Sequence, residues 1–298
     1  MFRGTATALI TPFRGGAVDY DALSALIEFQ IENGVNALVV LGTTGEAATM
    51  TATERDKVIA FAMRAVNGRI PVVIGTGTNC TATTIELSKR AEELGADGIL
   101  VVTPFYNKPT QEGLYRHFRA AAEAVSVPVV LYNVPGRTGV NLLPETVLRL
   151  ASDVPNVQAV KEASGNQYQC DRLIRALAVV RPDFRVYSGN DDQAFHLICS
   201  GGDGVVSVLS NILPAQTSAM VNAALKGDVE TARELHLRML PLMKDLFAES
   251  NPIPVKYAAS LLKLCENELR LPLVAASERT CELLRADLLE LDVLEDLQ

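Results

Sequence analysis

Eight short runs rich in β-branched residues recur along this chain at intervals of roughly 25 to 35 residues, and a helical pattern fills each interval. The runs are Thr5–Ile10, Ala37–Leu41, Pro71–Ile74, Gly98–Val102, Pro128–Tyr132, Val157–Lys161, Phe184–Ser188 and Gly204–Val208. They are mostly apolar at every position rather than alternating, as parallel strands covered by helices should be. The intervals carry the helical period. In DYDALSALIEFQIENG, Leu23, Leu26, Ile27 and Ile31 share a face, with Asp19 as cap and Gly34 as stop. In TATERDKVIAFAMRAVNG, Val58, Phe61, Ala62 and Ala65 should face inward, with Gly68 ending the helix. Pro144 in NLLPETVLRLA falls where a first helical turn tolerates proline.

Eight strand–helix units predict an α/β protein of the (β/α)8 TIM-barrel class; a doubly wound open sheet is the runner-up, since periodicity alone does not prove closure. The barrel should occupy residues 1–226. Three further helical patterns, Asp228–Glu249, Pro254–Glu266 and Ser277–Leu291, make residues 227–298 a C-terminal three-helix extension. Its apolar faces need a partner, either the barrel wall or another subunit.

Composition removes several classes of function. The chain has 298 residues, a net charge of −8 and no dense basic cluster, which argues against nucleic acid as a partner. Its five cysteines, Cys80, Cys170, Cys199, Cys265 and Cys281, are scattered and odd in number, as reduced thiols of a cytoplasmic protein would be. His117, His196 and His236 show no metal-ligand spacing, so no metal site is expected. No signal-peptide pattern opens the sequence, and no window approaches the ~18 apolar residues of a membrane span.

In a barrel of this kind the site lies where the strands end. Those ends read GTTGE (42–46), GTGTN (75–79), TPFYNKP (103–109), YNVPGRTG (132–139), KEASGN (161–166) and SGND (188–191). Lys161 closes an apolar run. Strand alternation puts Val157, Ala159 and Lys161 on one side, the barrel interior. A buried ammonium is costly, so such a lysine serves either a salt bridge, with Glu162 or a neighbour, or chemistry. Burial lowers a lysine pKa, and a neutral amine can attack a ketone to form a Schiff base whose protonated imine stabilises an adjacent carbanion. GTTGE then reads as a carboxylate cradle built from Thr43, Thr44 and close-approaching backbone at Gly42 and Gly45, or else as a plain strand-to-helix turn. Tyr132, one strand from Lys161, can relay protons or simply pack in the core. Arg137, in a loop bounded by proline and glycine, suits a second carboxylate or plain solvent. Tyr106 sits in an aromatic loop with a packing or interface role as its alternative.

Taken together, GTTGE, TPFYNKP, YNVPGRTG, VKEASGN, SGND and GGDGVVSV, in this order and spacing, resemble the dihydrodipicolinate synthase family of pyruvate-dependent class I aldolases over nearly the whole chain. The resemblance implies condensation of pyruvate with L-aspartate 4-semialdehyde, with no metal or organic cofactor. It implies Lys161 as the Schiff-base residue; Tyr132, Thr43 and Tyr106 as a proton relay; Thr44 as the pyruvate-carboxylate site; Arg137 as receiver of the second substrate's carboxylate; and Gly189 and Val206 as backbone lining the pocket. It also implies a homotetramer, a dimer of dimers, in which Tyr106 crosses the tight interface.

One departure stands out. Many relatives are inhibited by lysine through polar residues at positions that here are Ala52, Arg55, Thr83 and Phe105, with Asn79 retained. Weak or absent lysine feedback is therefore expected. The alternatives are another 2-oxo-acid aldolase, such as a sialic-acid or sugar-acid lyase, and a silent barrel. Arg137 favours the synthase over the first, and the survival of Lys161 and Tyr132 speaks against the second. GGDG (201–204) could be read as a phosphate turn but lacks any supporting fingerprint and reads better as a tight turn.

Overall fold

The structure, a computed structural model, describes residues 1–294; the last four residues of the expected extension lie outside them. Eight parallel strands close into a barrel. We label them β1 (Gly4–Ala8), β2 (Ala37–Val40), β3 (Val72–Gly75), β4 (Gly98–Val102), β5 (Val129–Asn133), β6 (Val157–Glu162), β7 (Arg185–Ser188) and β8 (Gly204–Ser207). Closure comes from β1, which pairs with β8 on one side and β2 on the other. The open-sheet alternative is thereby excluded. The first strand stops at Ala8, short of the expected Ile10, and a small hairpin, Phe13–Arg14 with Ala17–Val18, follows it.

The helices of the outer layer are α1 (Tyr20–Glu32), α2 (Ala52–Val66), α3 (Thr81–Glu93), α4 (Gln111–Glu123), α5 (Pro144–Asp153), α6 (Gln167–Val180), α7 (Asp191–Cys199) and α8 (Pro214–Leu225). Asp19 caps α1 by accepting from the Ala22 N–H, and Pro144 opens α5. In α1 the buried face is Leu23, Leu26, Ile27 and Gln30, with Ile31 half-buried. In α2 it is Val58, Ile59, Ala62 and Val66. The expected inward positions Phe61 and Ala65 lie at its edge, where the Phe61 ring meets Tyr20, centroids 5.0 Å apart. Asn67, in the left-handed conformation, ends that helix one residue before Gly68.

The core has two compartments. The larger lies between strands and helices and includes Leu38, Ile74, Ile99, Leu131, Val160 and Val186. The smaller fills the barrel and contains Ala6, Ala37, Val39, Val73, Val130, Ala159 and Val206, with Phe2 stacked on Tyr187 at 4.3 Å. The small residues matter, because a barrel interior must accommodate side chains from all eight strands. Val157 corrects the sequence reading: it packs in the outer compartment, not with Ala159. The register between β5 and β6 shifts after Val129–Val157, so that Val130 faces Ala159, and this irregularity resets the alternation ahead of Lys161.

The extension comprises α9 (Val229–Asp245), α10 (Ile253–Leu261) and α11 (Glu278–Glu290). Its partner is the barrel wall: α9 lies against α8 and α7, and α11 against α9 and α10. Lys256 of α10 is fully buried, and its Nζ donates to Glu46 Oε1 at 2.5 Å and to the Glu268 carbonyl at 2.7 Å. The Phe13 ring lies under the same ammonium, centroid 4.1 Å away. The other oxygen of Glu46 accepts from the Arg270 N–H. Glu46 is the last residue of GTTGE, so this ion pair bolts the extension to the loop that ends β2. No helix among the described residues is long and apolar enough to cross a membrane.

Candidate active site

The site is built from strand ends whose register fixes which side chains meet. Tyr132 of β5 is paired with Lys161 of β6, and Lys161 in turn with Tyr187 of β7. Residues in register on neighbouring parallel strands point to the same side. Lys161 and Tyr132 therefore both enter the barrel, and the Lys161 Nζ lies 4.4 Å from the Tyr132 ring centroid. Lys161 is 5% exposed.

Glu162 does not pair with it. The next residue along a strand faces the other way, and the Glu162 carboxylate is held there by the Asn133 and Gln169 side-chain amides and the Ser164 N–H. The salt-bridge reading of Lys161 thus fails for its nearest candidate, and no other carboxylate among the described residues forms an ion pair with it. Burial pulls the Lys161 pKa down to about 8, opposed by the charge of Asp191 and assisted by Arg137. At neutral pH about a tenth of such an amine is neutral, against less than a thousandth for a free lysine. Burial also pushes the Tyr132 phenol up to about 12, with Arg137 working against it. Tyr132 thus stays protonated and able to donate.

Above the lysine is a small chamber of about 40 Å³, lined by Thr43, Thr44, Tyr132, Arg137, Lys161, Gly189 and Asn251 among others. It shares Gly42, Thr43, Tyr132 and Arg137 with a wider cleft of about 300 Å³ that runs out past Arg55, Gly77 and Phe105. Thr43–Gly45 form a single 3-10 turn, closed by the Gly45 N–H on the Gly42 carbonyl. The turn leaves the Thr43 and Thr44 N–H groups without a partner inside it, as at any helix start. Gly45 uses its missing side chain against the segment that follows β1, where a Cβ would meet the Leu9 carbonyl at 3.1 Å, not against a ligand. Gly189 is a different case. A Cβ there would lie 2.6 Å from the Ala163 Cβ and 2.9 Å from the Lys161 Cε, so glycine leaves room for both.

Arg137 sits on a helical turn, Pro135–Thr138, and its Nη2 donates to the Asn251 carbonyl at 2.9 Å. Thus Lys161, Tyr132, Thr43, Thr44, Arg137 and Gly189 converge on one chamber. Two expected members do not. The Val206 side chain is buried in the barrel filling, and Val208, past the end of its strand, lines the chamber. Tyr106 is 89% exposed at a left-handed φ of 71° and lines neither cavity within this chain. Of the residues at the expected lysine-feedback positions, Arg55 and Phe105 line the cleft, and the Arg55 Nη2 donates to the Gly75 carbonyl. GGDG proves to be the tight entry to β8: the Asp203 carboxylate accepts from the Val186 N–H and the Arg185 guanidinium.

Sequence reasoning missed Asn251 and the role of Asp191. Asp191 is fully buried, accepts from the Val208 and Leu209 N–H groups, and has its pKa raised by burial. The polar Asn251 in the proline-flanked stretch SNPIP was the available signal for the first. The second stood at the end of SGND.

A closed parallel barrel with a lysine of depressed pKa and a protonated tyrosine at the C-terminal mouth defines a barrel lyase of the class I aldolase type. A family model described as the dihydrodipicolinate synthetase family matches residues 1–291, and the chain belongs to that family. It is 60% identical over 294 residues to a 4-hydroxy-tetrahydrodipicolinate synthase of Kosmotoga olearia, covering 99% of this chain and 100% of that one. The crystal structure of a dihydrodipicolinate synthase from Thermotoga maritima superposes with a TM-score of 0.97 at 53% identity, covering 99% of this chain and 100% of that one. A chloride-inhibited dihydrodipicolinate synthase from Acinetobacter baumannii, complexed with pyruvate, matches with a TM-score of 0.95 at 44% identity over 99% of this chain and all of that one.

Proposed function

We propose that this enzyme condenses pyruvate with L-aspartate 4-semialdehyde to 4-hydroxy-tetrahydrodipicolinate, with Lys161 as the covalent catalyst. The observation that carries the reading is a lysine buried without a carboxylate partner, its pKa near 8, beside the Tyr132 ring. The neutral amine attacks the ketone of pyruvate, and Tyr132 passes protons as the carbinolamine loses water. Having given its proton to the departing water, the Tyr132 oxygen takes a proton from C3, and the iminium accepts the electron pair of that C–H bond. The resulting enamine attacks the aldehyde, and the amine of the second substrate displaces Lys161 as the ring closes. The imine is itself the electron sink, so this scheme calls for no metal or organic cofactor.

Thr44 and the free amides of the Thr43–Gly45 turn take the pyruvate carboxylate, and Arg137 takes that of the aldehyde. Thr43 continues the relay from Tyr132, with Gly189 leaving room for the lysine. Arg137 on the chamber wall favours the synthase over a sugar-acid lyase; Arg137→Ala should lose most activity with aspartate semialdehyde. Tyr106 is exposed enough to serve a second subunit's site across a tight interface, in a homotetramer built as a dimer of dimers. Residues 1–226 supply the catalytic barrel and 227–298 the extension. The free thiols fit a cytoplasmic setting. Weak or absent lysine feedback follows from Arg55: a guanidinium at the cleft repels an ammonium ligand. A sub-millimolar lysine inhibition curve would overturn that.

The decisive test is borohydride reduction in the presence of pyruvate, followed by peptide mass mapping. A reduced pyruvyl adduct on the 157–166 peptide is expected. An unmodified peptide with turnover intact would remove Lys161 from the mechanism.

A further inference from the structure

Asn251 lies in the extension, between α9 and α10, yet it lines the chamber above Lys161 and is 6% exposed. Its side-chain Nδ2 donates to Thr44 Oγ1 at 2.8 Å. Its backbone carbonyl accepts from Arg137 Nη2 at 2.9 Å. Its Oδ1 is buried without a partner among the described residues. One residue therefore touches both groups assigned to carboxylates, one through its side chain and the other through its backbone.

The direction of the Thr44 contact has a chemical consequence. A threonine hydroxyl has one proton to give and two lone pairs. Here one lone pair is engaged by the Asn251 amide, and among the described residues no acceptor takes the Thr44 proton. The proton is left to point into the chamber. An acceptor at position 251 would do the opposite, drawing the hydroxyl proton to itself.

We infer that Asn251 is a positioning residue that sets the Thr44 hydroxyl as a hydrogen-bond donor to the keto-acid carboxylate, so that the C-terminal extension determines how tightly the barrel holds its first substrate. The inference rests on the reading of Thr44 as the pyruvate-carboxylate site. Because Asn251 reaches Arg137 only through its backbone, that contact survives substitution of its side chain. The two substrates should then respond differently.

The test uses the full-length enzyme and measures the pyruvate concentration that half-saturates borohydride trapping on Lys161, together with KM for each substrate. Asn251→Ala should raise both the half-saturating pyruvate concentration and the pyruvate KM about tenfold, the loss of roughly one hydrogen bond. Asn251→Asp should raise them further. KM for the aldehyde and kcat at saturating pyruvate should move by less than about threefold. In a Thr44→Val background the same Asn251→Ala change should have almost no further effect on pyruvate, because the group it acts through is gone. Equal pyruvate affinity in wild type and Asn251→Ala, or an undiminished effect in the Thr44→Val background, would overturn the inference. Parallel rises in both KM values would also overturn it, reducing Asn251 to general support. If Asn251→Ala fails to fold, Asn251→Ser, which keeps a short polar side chain, carries the same comparison. Failure of the wild type to trap pyruvate on Lys161 would instead bring down the underlying reading, a result distinct from either of these.

Discussion

Two lysines in this molecule are buried, and they have been settled in opposite ways. Lys256, at the joint between extension and barrel, has a carboxylate at 2.5 Å, a carbonyl at 2.7 Å and an aromatic face beneath it. Lys161, at the barrel mouth, has an aromatic ring and a small chamber, and its nearest acidic neighbour in sequence faces away. Burial depresses both pKa values, but at Lys256 the charge and hydrogen bond of Glu46 both pull the other way. The lesson is that burial alone does not make a lysine reactive. What distinguishes Lys161 is burial without a hydrogen-bonded carboxylate, opposed only by the charge of Asp191, a cost to stability retained at the place where the proposed chemistry would use it.

The largest expected consequence is kinetic. Lys161→Ala should lower kcat/KM by on the order of 10⁴-fold or more, while Lys256→Arg, keeping the charge, should leave the imine chemistry in place. Steady-state assays on both variants check this. Next in size is stability at the joint. Lys256→Met strands the Glu46 carboxylate and should cost about 3–5 kcal/mol in urea unfolding. Adding Glu46→Gln removes the stranded charge and should recover more than half of that loss.

Lys161→Met should change stability in the opposite direction, gaining about 1–3 kcal/mol at pH 7. The sign follows from the depressed pKa. Below the folded value of about 8 the native state holds an unwelcome proton, and the penalty is present in full; by the reference value of 10.5 it has vanished. The gain from Lys161→Met should therefore fade as pH rises from 8 toward 10.5, and a gain independent of pH would point to packing instead. Smallest is the effect of pH on the wild type. Below pH 8 the rate of imine formation should fall about tenfold per pH unit, with the free-enzyme limb centred near 8. A limb centred near 10 would mean that the lysine is not depressed at all.

Much of this was legible in the sequence, for identifiable reasons. The apolar runs and the helical period are local properties, and they located all eight strands and the three extension helices. The orientation of Lys161 against Glu162 follows from strand alternation. Val157 was misplaced because a single register irregularity between β5 and β6 reverses the alternation, and no local composition marks it. The Val206 side chain fills the barrel, at a depth set by strand stagger, which a lone sequence does not carry. Asn251 and Lys256 were missed for a third reason: their partners Thr44 and Glu46 lie 207 and 210 positions away, so only the folded barrel brings them together. Tyr106 reads differently in sequence and structure because its expected role belongs to an assembly rather than to one chain.

The hydrogen at position 189 answers to two neighbours at once. A Cβ there would sit 2.6 Å from the Ala163 Cβ and 2.9 Å from the Lys161 Cε, so substitution at 189 disturbs the amine without touching a reactive group. A barrel that exchanged the lysine for something shorter would be released from only half of that restriction, because the Ala163 methyl would remain. Glycine at this position would thus outlast the lysine in a descendant, a relic held in place by packing after the chemistry had gone.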